Sequence, residues 1–207
     1  MMMLRKYIKS KSIIAIGEIG LDYYRNFSPP NIQRQVFHQM LELASEIELP
    51  VIIHSRNATD DMLNILTSWR KKVASRWPNG RPLGVMHSFD EDLQIALRYI
   101  DLGFLISIPG TCTRPKAQQV SAVAATIPLN KMVVETDCPY QSPQSHRGRR
   151  NEPAYLRETV EKIAELRSVS FRDVAIGTTA AASVYSTGSI AGTDYNWDTA
   201  FSSSYGD

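Results

Sequence analysis

Apolar and polar positions along this chain alternate between two periods. Short runs at Ile13 to Ile16, Val51 to Ile53, Leu83 to Met86, Phe104 to Ile108 and Met132 to Val134 have the length and β-branched character of buried strands. Between them, apolar residues recur every three to four positions, as in helices with one buried face. The stripes are Ile32, Val36, Phe37, Met40, Leu41, Ala44 and Ile47; then Met62, Leu63, Leu66, Trp69 and Val73. Shorter ones follow at Leu93, Ala96, Leu97 and Ile100, at Ala117, Val120, Val123 and Ala124, and at Leu156, Val160, Ile163 and Ala164. Breakers separate them: Pro29-Pro30, Pro50, Pro78-Asn79-Gly80 and Gly103. Thr59 and Asp90 are predicted caps, Pro153 suits a first helical position, and Ser170 with Asp173 forms a capping box for a last helix running to about Tyr185.

Strand and helix in strict succession imply right-handed crossovers and a parallel sheet of five strands. An open doubly wound sheet and a (β/α)₈ barrel both place function at the C-terminal ends of their strands. Here four apolar runs lead into residues able to hold a metal: Gly17-Glu18, His54, His87 and Glu135-Thr136-Asp137. An open sheet concentrates its site at one switch point, usually with a glycine-rich phosphate loop. Ligands on four strands converge only if the strands surround an axis, so the pattern favours an α/β barrel or a piece of one.

Carboxylates at Glu18 and Asp137 with imidazoles at His54 and His87 make a mixed oxygen and nitrogen set suited to Mg²⁺, Mn²⁺ or Zn²⁺. Such an ion lowers the pKa of bound water and polarises an ester or phosphoryl oxygen, which points to hydrolysis. Each residue also has a plainer reading. A strand-end histidine can be a hydrogen-bonded core residue, and Glu18 can pair with Arg25 or Arg56. His38, on an amphipathic helix, and His146, in a polar loop, are expected to be uninvolved. Glu135 and Asp137 project to the same side of a strand, so spacing does not choose between them.

Composition adds bounds. The 207 residues, 43% hydrophobic and 21% charged, suit one globular domain, expected over 13–186, with a polar segment at 1–12 and a disordered tail at 187–207. A net charge of +2 tolerates a polyanionic substrate but is far from a nucleic-acid coat. Two isolated cysteines, Cys112 and Cys138, exclude a disulfide framework and fit a reducing compartment. No run of 18 apolar residues is present. The basic N-terminus leads into an apolar run too short for a secretory signal, and a cytoplasmic or nuclear location is expected.

Five segments together resemble the TatD family of metal-dependent deoxyribonucleases: Gly17-Glu18-Ile19-Gly20-Leu21-Asp22-Tyr23-Tyr24, Pro50-Val51-Ile52-Ile53-His54-Ser55-Arg56, His87-Ser88-Phe89, Glu135-Thr136-Asp137-Cys138-Pro139-Tyr140 and Arg147-Gly148-Arg149-Arg150-Asn151-Glu152-Pro153. The order matches too, over about Ile13 to Tyr185. The resemblance implies a TIM-barrel-like fold of the amidohydrolase kind and metal-dependent, commonly exonucleolytic hydrolysis of DNA. It implies that Glu18, His54, His87 and Asp137 are metal ligands, with two ions per site in an intact member. It selects Asp137 over Glu135 and implies that Asp137 orients the attacking water. The family's opening His-x-His strand and the strand after it are not found, since no histidine precedes His38. A complete barrel takes about 250 residues. An incomplete barrel lacking about two strand and helix units is therefore expected, with weakened metal binding and DNA cleavage.

The basic loop of Arg147, Arg149 and Arg150 follows the Asp137 strand and is a candidate for backbone phosphates, as are Arg56 and Tyr24 beside ligand strands. DNA is the expected partner, and oligomeric state is left open. Two alternatives stand beside this reading: an inactive interaction module, and an amidohydrolase acting on a small C–N substrate.

Overall fold

Residues 13–187 are described by the computed structural model. They form a five-stranded parallel sheet of β1 (Ile16–Asp22), β2 (Val51–Arg56), β3 (Gly84–Met86), β4 (Phe104–Ile108) and β5 (Met132–Val134), in that spatial order. Every crossover thus moves one strand in the same direction, as in a barrel wall. A doubly wound sheet would reverse at a switch point, and none occurs among the described strands.

The helices are α1 (Pro30–Ile47), α2 (Thr59–Val73), α3 (Leu93–Asp101), α4 (Gln118–Thr126), α5 (Leu156–Arg167) and α6 (Phe171–Thr187). The outward strand residues Val51, Ile53, Met86, Phe104, Ile106 and Met132 join Phe37, Leu41, Leu66, Trp69 and Ile163 in the main core. Trp69 fastens α2 to α1, its indole donating to the Leu41 carbonyl at 3.1 Å and to Ser45 Oγ at 2.7 Å. The inward residues Ile52, Val85, Leu105 and Val133 form a separate apolar layer, covered in part by Ala181. Helix α6 thus places Val174 in the main core and Ala181 against the other face of the sheet. Above this layer, toward the strand C-termini, the same inward face turns polar.

Several local expectations are corrected. The first strand begins at Ile16 and runs through the Gly17-Glu18 motif rather than stopping before it. Its register with β2 passes from Ile16↔Val51 to Ile19↔Ile53, one extra residue on β1, and this bulge turns Glu18 inward. Ile32 and Val36 are exposed, so the buried stripe of α1 starts at Phe37. Thr59 is the first residue of α2, not its cap, and its hydroxyl bonds Glu91 instead. Asp92 rather than Asp90 caps α3, accepting from the Ile95 amide at 3.0 Å. The Ser170 and Asp173 capping box is present, with the Asp173 amide donating to Ser170 Oγ at 3.1 Å. Helix α6 continues to Thr187; the segment 1–12 and the rest of the expected tail lie outside the described residues. Among the described residues no helix is long and apolar enough to cross a membrane.

Candidate metal centre

Strand alternation places Glu18, Gly20 and Asp22 of β1 on the inward face, with His54 and Arg56 of β2. Gly20 lies directly beside His54 in the register. Strand β3 is only three residues long, so His87 follows immediately at its C-terminal end. Beyond β5, Glu135 and Asp137 project from the same side. Glu18, His54, His87 and Asp137 all line one cavity of about 750 Å³, with Arg25, Arg56 and Gln141.

The hydrogen bonds assign different tasks to the two carboxylates that spacing could not separate. Glu135 Oε2 lies 2.9 Å from His87 Nδ1 and also accepts from the Ser88 amide at 3.2 Å and from Ser107 Oγ. An oxygen accepting from that amide and hydroxyl takes the ring proton as well, so His87 carries its hydrogen on Nδ1. Nε2 then faces Glu18 Oε1 at 3.7 Å and Asp137 Oδ1 at 3.8 Å. Three acceptors turned toward one another call for a cation between them, either a proton or a metal ion. The other oxygen of Glu135, Oε1, is buried with no hydrogen-bond partner among the described residues. Asp137 Oδ2 accepts from Gln141 Nε2 at 2.7 Å, and the same amide bonds Ser88 Oγ.

His54 meets a carboxylate at each ring nitrogen: Nδ1 is 3.0 Å from Glu18 Oε1 and Nε2 is 3.3 Å from Asp22 Oδ2. The hydrogen bond to Glu18 raises the imidazole's pKa above its ordinary value against the opposing effect of burial, and Asp22 adds to the rise. The hydrogen bond from His54 in turn holds Glu18 below the usual carboxylate range. His87 is raised chiefly by its bond to Glu135. Burial pushes Asp22 upward, yet the Arg25 amide, His54 and Arg56 together hold it low.

Among the described residues no group of three such side chains is already drawn to the spacing of a finished metal site. The donor chemistry nonetheless fits a divalent ion. Glu18, His87 Nε2 and Asp137 face a common space, His54 can ligate through one nitrogen while the other donates to a carboxylate, and Glu135 orients His87 as outer-shell carboxylates do. Thr136 stands between Glu135 and Asp137 in the chain, just beyond β5. Replacing Glu135 with Gln leaves the ligands in place but loosens the imidazole. Affinity for Mn²⁺, measured by titration calorimetry, is expected to fall about 10- to 100-fold; an unchanged affinity would remove Glu135 from this role.

The same pKa directions set a pH dependence for the metal-free chain. Raised imidazoles contribute stability fully below their unfolded value of 6.5 and lose it as pH rises through the folded values. Lowered Glu18 contributes above its unfolded value of 4.5 and loses it as pH falls through the folded one. In EDTA, Tm should therefore peak between these two values and fall toward pH 8. Stabilisation by added Mn²⁺ should instead grow with pH, because the ion competes with the imidazole protons. Thermal melts from pH 4 to 8 check both slopes, and a metal-free Tm rising from pH 6 to 8 would contradict the first.

Other predicted site residues are distributed unequally. Arg56 lines the cavity and stacks its guanidinium over Tyr24 at 3.9 Å from the ring centroid. Arg147 lies instead in a neighbouring cleft with Arg114, and Arg149 and Arg150 are exposed on the loop. Glu18 takes imidazole partners rather than the arginine pairing considered for it. His38 is exposed, and His146 stacks on Tyr155 and pairs with Glu158 at 2.9 Å, both away from the cavity. Sequence reasoning missed Asp22, although its spacing of four from Glu18 gives it the same face. It also missed Ser107 and Gln141, which no local pattern marks.

Comparison with known proteins assigns the family and the fold. The family model described as "TatD related DNase" matches residues 1–185. The chain belongs to that family. It is 37% identical over 169 residues to YabD of Bacillus subtilis, an uncharacterised metal-dependent hydrolase, covering 82% of this chain and 63% of that protein. Against a 3'-5' ssDNA/RNA exonuclease TatD of Pectobacterium atrosepticum, identity is 34%, with 79% and 62% covered. The crystal structure of the TatD homologue YJJV from Escherichia coli superposes with a TM-score of 0.79 at 29% identity, covering 88% of this chain and 68% of that one. The fold is thus the parallel α/β fold of TatD TIM-barrel structures. The chain spans about 63% of the length of the first curated relatives it matches.

Proposed function

We propose that this TatD-family chain carries the metal-binding share of a divalent-metal-dependent hydrolase of DNA phosphodiester bonds, acting from a strand end. The observation that carries the reading is the convergence of Glu18 and His54, from β1 and β2, with His87 and Asp137, from just beyond β3 and β5, on one cavity that also holds two arginines. The name of the Pectobacterium relative supports an exonuclease, and that of the Bacillus relative supports the broader hydrolase class.

Glu18, His54, His87 and Asp137 would hold Mg²⁺, Mn²⁺ or Zn²⁺. When bound, the ion supplies a water of lowered pKa and polarises the phosphoryl oxygen. Asp137 would take the proton of the attacking water; in support, Gln141 fixes one of its oxygens and the other is turned toward His87 Nε2 in the cavity. Glu135 keeps His87 in one tautomer. Arg25 and Arg56 supply positive charge for the substrate's phosphates, and Arg56 is held in place on the Tyr24 ring.

The test is an assay of the purified chain on 3′-labelled single-stranded DNA, with Mg²⁺, Mn²⁺ or Zn²⁺ and with EDTA. Metal-dependent release of nucleotides that disappears in Asp137→Asn supports the reading. Hydrolysis indifferent to EDTA or to Asp137→Asn would overturn it. Turnover of a cyclic amide but not of DNA would favour the amidohydrolase alternative, and failure to bind metal would favour an inert module.

A further inference from the structure

Beside the metal cavity lies a second cleft of about 730 Å³, lined by Asp90, Thr111, Arg114, Lys116, Gln144 and Arg147 and by the first turn of α4. Asp90 lines both spaces, so the two adjoin. The walls are built rather than loose. Thr113 Oγ1 donates to the Gly110 carbonyl at 2.7 Å and accepts from the Gln144 amide at 2.8 Å, tying the Gly110–Thr113 turn to the Gln144–His146 turn. Arg114 is anchored by one nitrogen on the Ser142 carbonyl at 3.0 Å, while its Nε is buried with no partner among the described residues.

The electrostatics of this cleft are unbalanced. Arg114 and Arg147 stand close enough that, after burial, the charge of Arg147 is what lowers the Arg114 pKa. Among the described residues neither guanidinium is ion-paired with a carboxylate. Lys116 adds a third cation. Helix α4, nine residues long, starts from Ala117 with no side-chain cap, so its first amides also face outward without one. Arg114 is half-buried while Arg147 and Lys116 are exposed beside it, and like charges gathered around one cleft gain from an anion that bridges them.

We propose that this cleft is a phosphate subsite that holds a backbone phosphodiester of a nucleic-acid strand while the strand's end lies in the metal cavity. The proposal rests on the nuclease reading for the identity of the strand, and on the cleft's own charges for the phosphate. Basic side chains and helix amides bind phosphates without reading sequence, so the subsite would position the strand rather than select bases. Asp90, at the junction, repels a phosphate there and leaves the two basic regions as the places where phosphates settle.

The test uses the full chain in EDTA, so that binding is read without hydrolysis. Affinity for a fluorescent single-stranded 12-mer is measured by anisotropy across salt concentrations, for the native chain, Lys116→Gln/Arg147→Gln, and a control, Lys71→Gln/Arg76→Gln, which removes the same charge elsewhere. Arg114 is left intact because it also holds the Ser142 loop. The cleft variant should bind about tenfold more weakly, with a shallower dependence of log K on log salt by roughly 1.4 units for two lost contacts. The control should match the native chain.

Equal loss in the control, or no loss in the cleft variant, overturns the subsite. Inorganic phosphate, followed through the Gln118 to Val120 amide resonances, separates free phosphate from a strand. If phosphate shifts those resonances but the 12-mer does not, a nucleic-acid subsite is rejected. Failure of the nuclease reading looks different: DNA stays uncleaved with metal while the cleft variant still weakens 12-mer binding.

Discussion

Gly20→Ala is expected to cost roughly 2–6 kcal/mol, a large part of a typical domain's stability. Gly20 stands at a φ of +149°, and a Cβ there would lie 1.9 Å from the His54 carbonyl oxygen and 2.8 Å from its carbon. Both are backbone atoms of β2, so no side-chain rotation relieves the clash. The strands must separate where Glu18 and His54 meet, and the site should suffer with the fold. Gly80→Ala is the control, with a φ of +78° but nothing within 4 Å of the new Cβ. Its cost should stay near 1–2 kcal/mol, from backbone conformation alone. Urea unfolding of both variants measures the difference; equal costs would show that close approach of β1 and β2 is not what Gly20 provides.

Glu18→Gln should have the largest effect on the metal. Glu18 is shared: its Oε1 lies 3.0 Å from His54 and 3.7 Å from His87, and it faces the same cavity as Asp137. Removing its charge while keeping its shape should lower Mn²⁺ affinity by more than about 100-fold, beyond the range typical of outer-shell residues such as Glu135. Stability of the metal-free chain should change by less than about 1 kcal/mol, because the carboxylate is half exposed. The two readouts therefore separate. Calorimetric titration showing a change of less than tenfold would remove Glu18 from the ligand set, whatever its effect on Tm.

The two predictions depend on one another through the bulge of β1. A strand without that extra residue would turn Glu18 to the helix side, where it would be buried among apolar groups instead of facing His54 and His87. Gly17 and Gly20 flank this point, and both are in near contact with β2: a Cβ at Gly17 would lie 2.5 Å from that of Ile52. Close strand approach and the inward placement of Glu18 are thus the same structural fact.

Much of this arrangement can be read from local pattern, and the physical reasons mark where reading stops. Period-2 and period-3.6 apolar spacing reports which face of an element is buried, so five strands and the helices between them follow from residues such as Val51, Ile53, Leu66 and Trp69. The apolar runs that lead into Glu18, His54, His87 and the Glu135-Thr136-Asp137 segment likewise mark the site candidates. Spacing within one strand carries no information about partners on another. The family resemblance favours Asp137 over Glu135, but the packed sheet gives each its partner: Asp137 turned toward His87 Nε2, and Glu135 bonded to Nδ1 with Ser88 and Ser107. The bulge, the second carboxylate on His54 and the meeting of Arg114 with Arg147 are also decided there. Each depends on register or on contacts between segments distant in the chain, which a local pattern does not encode.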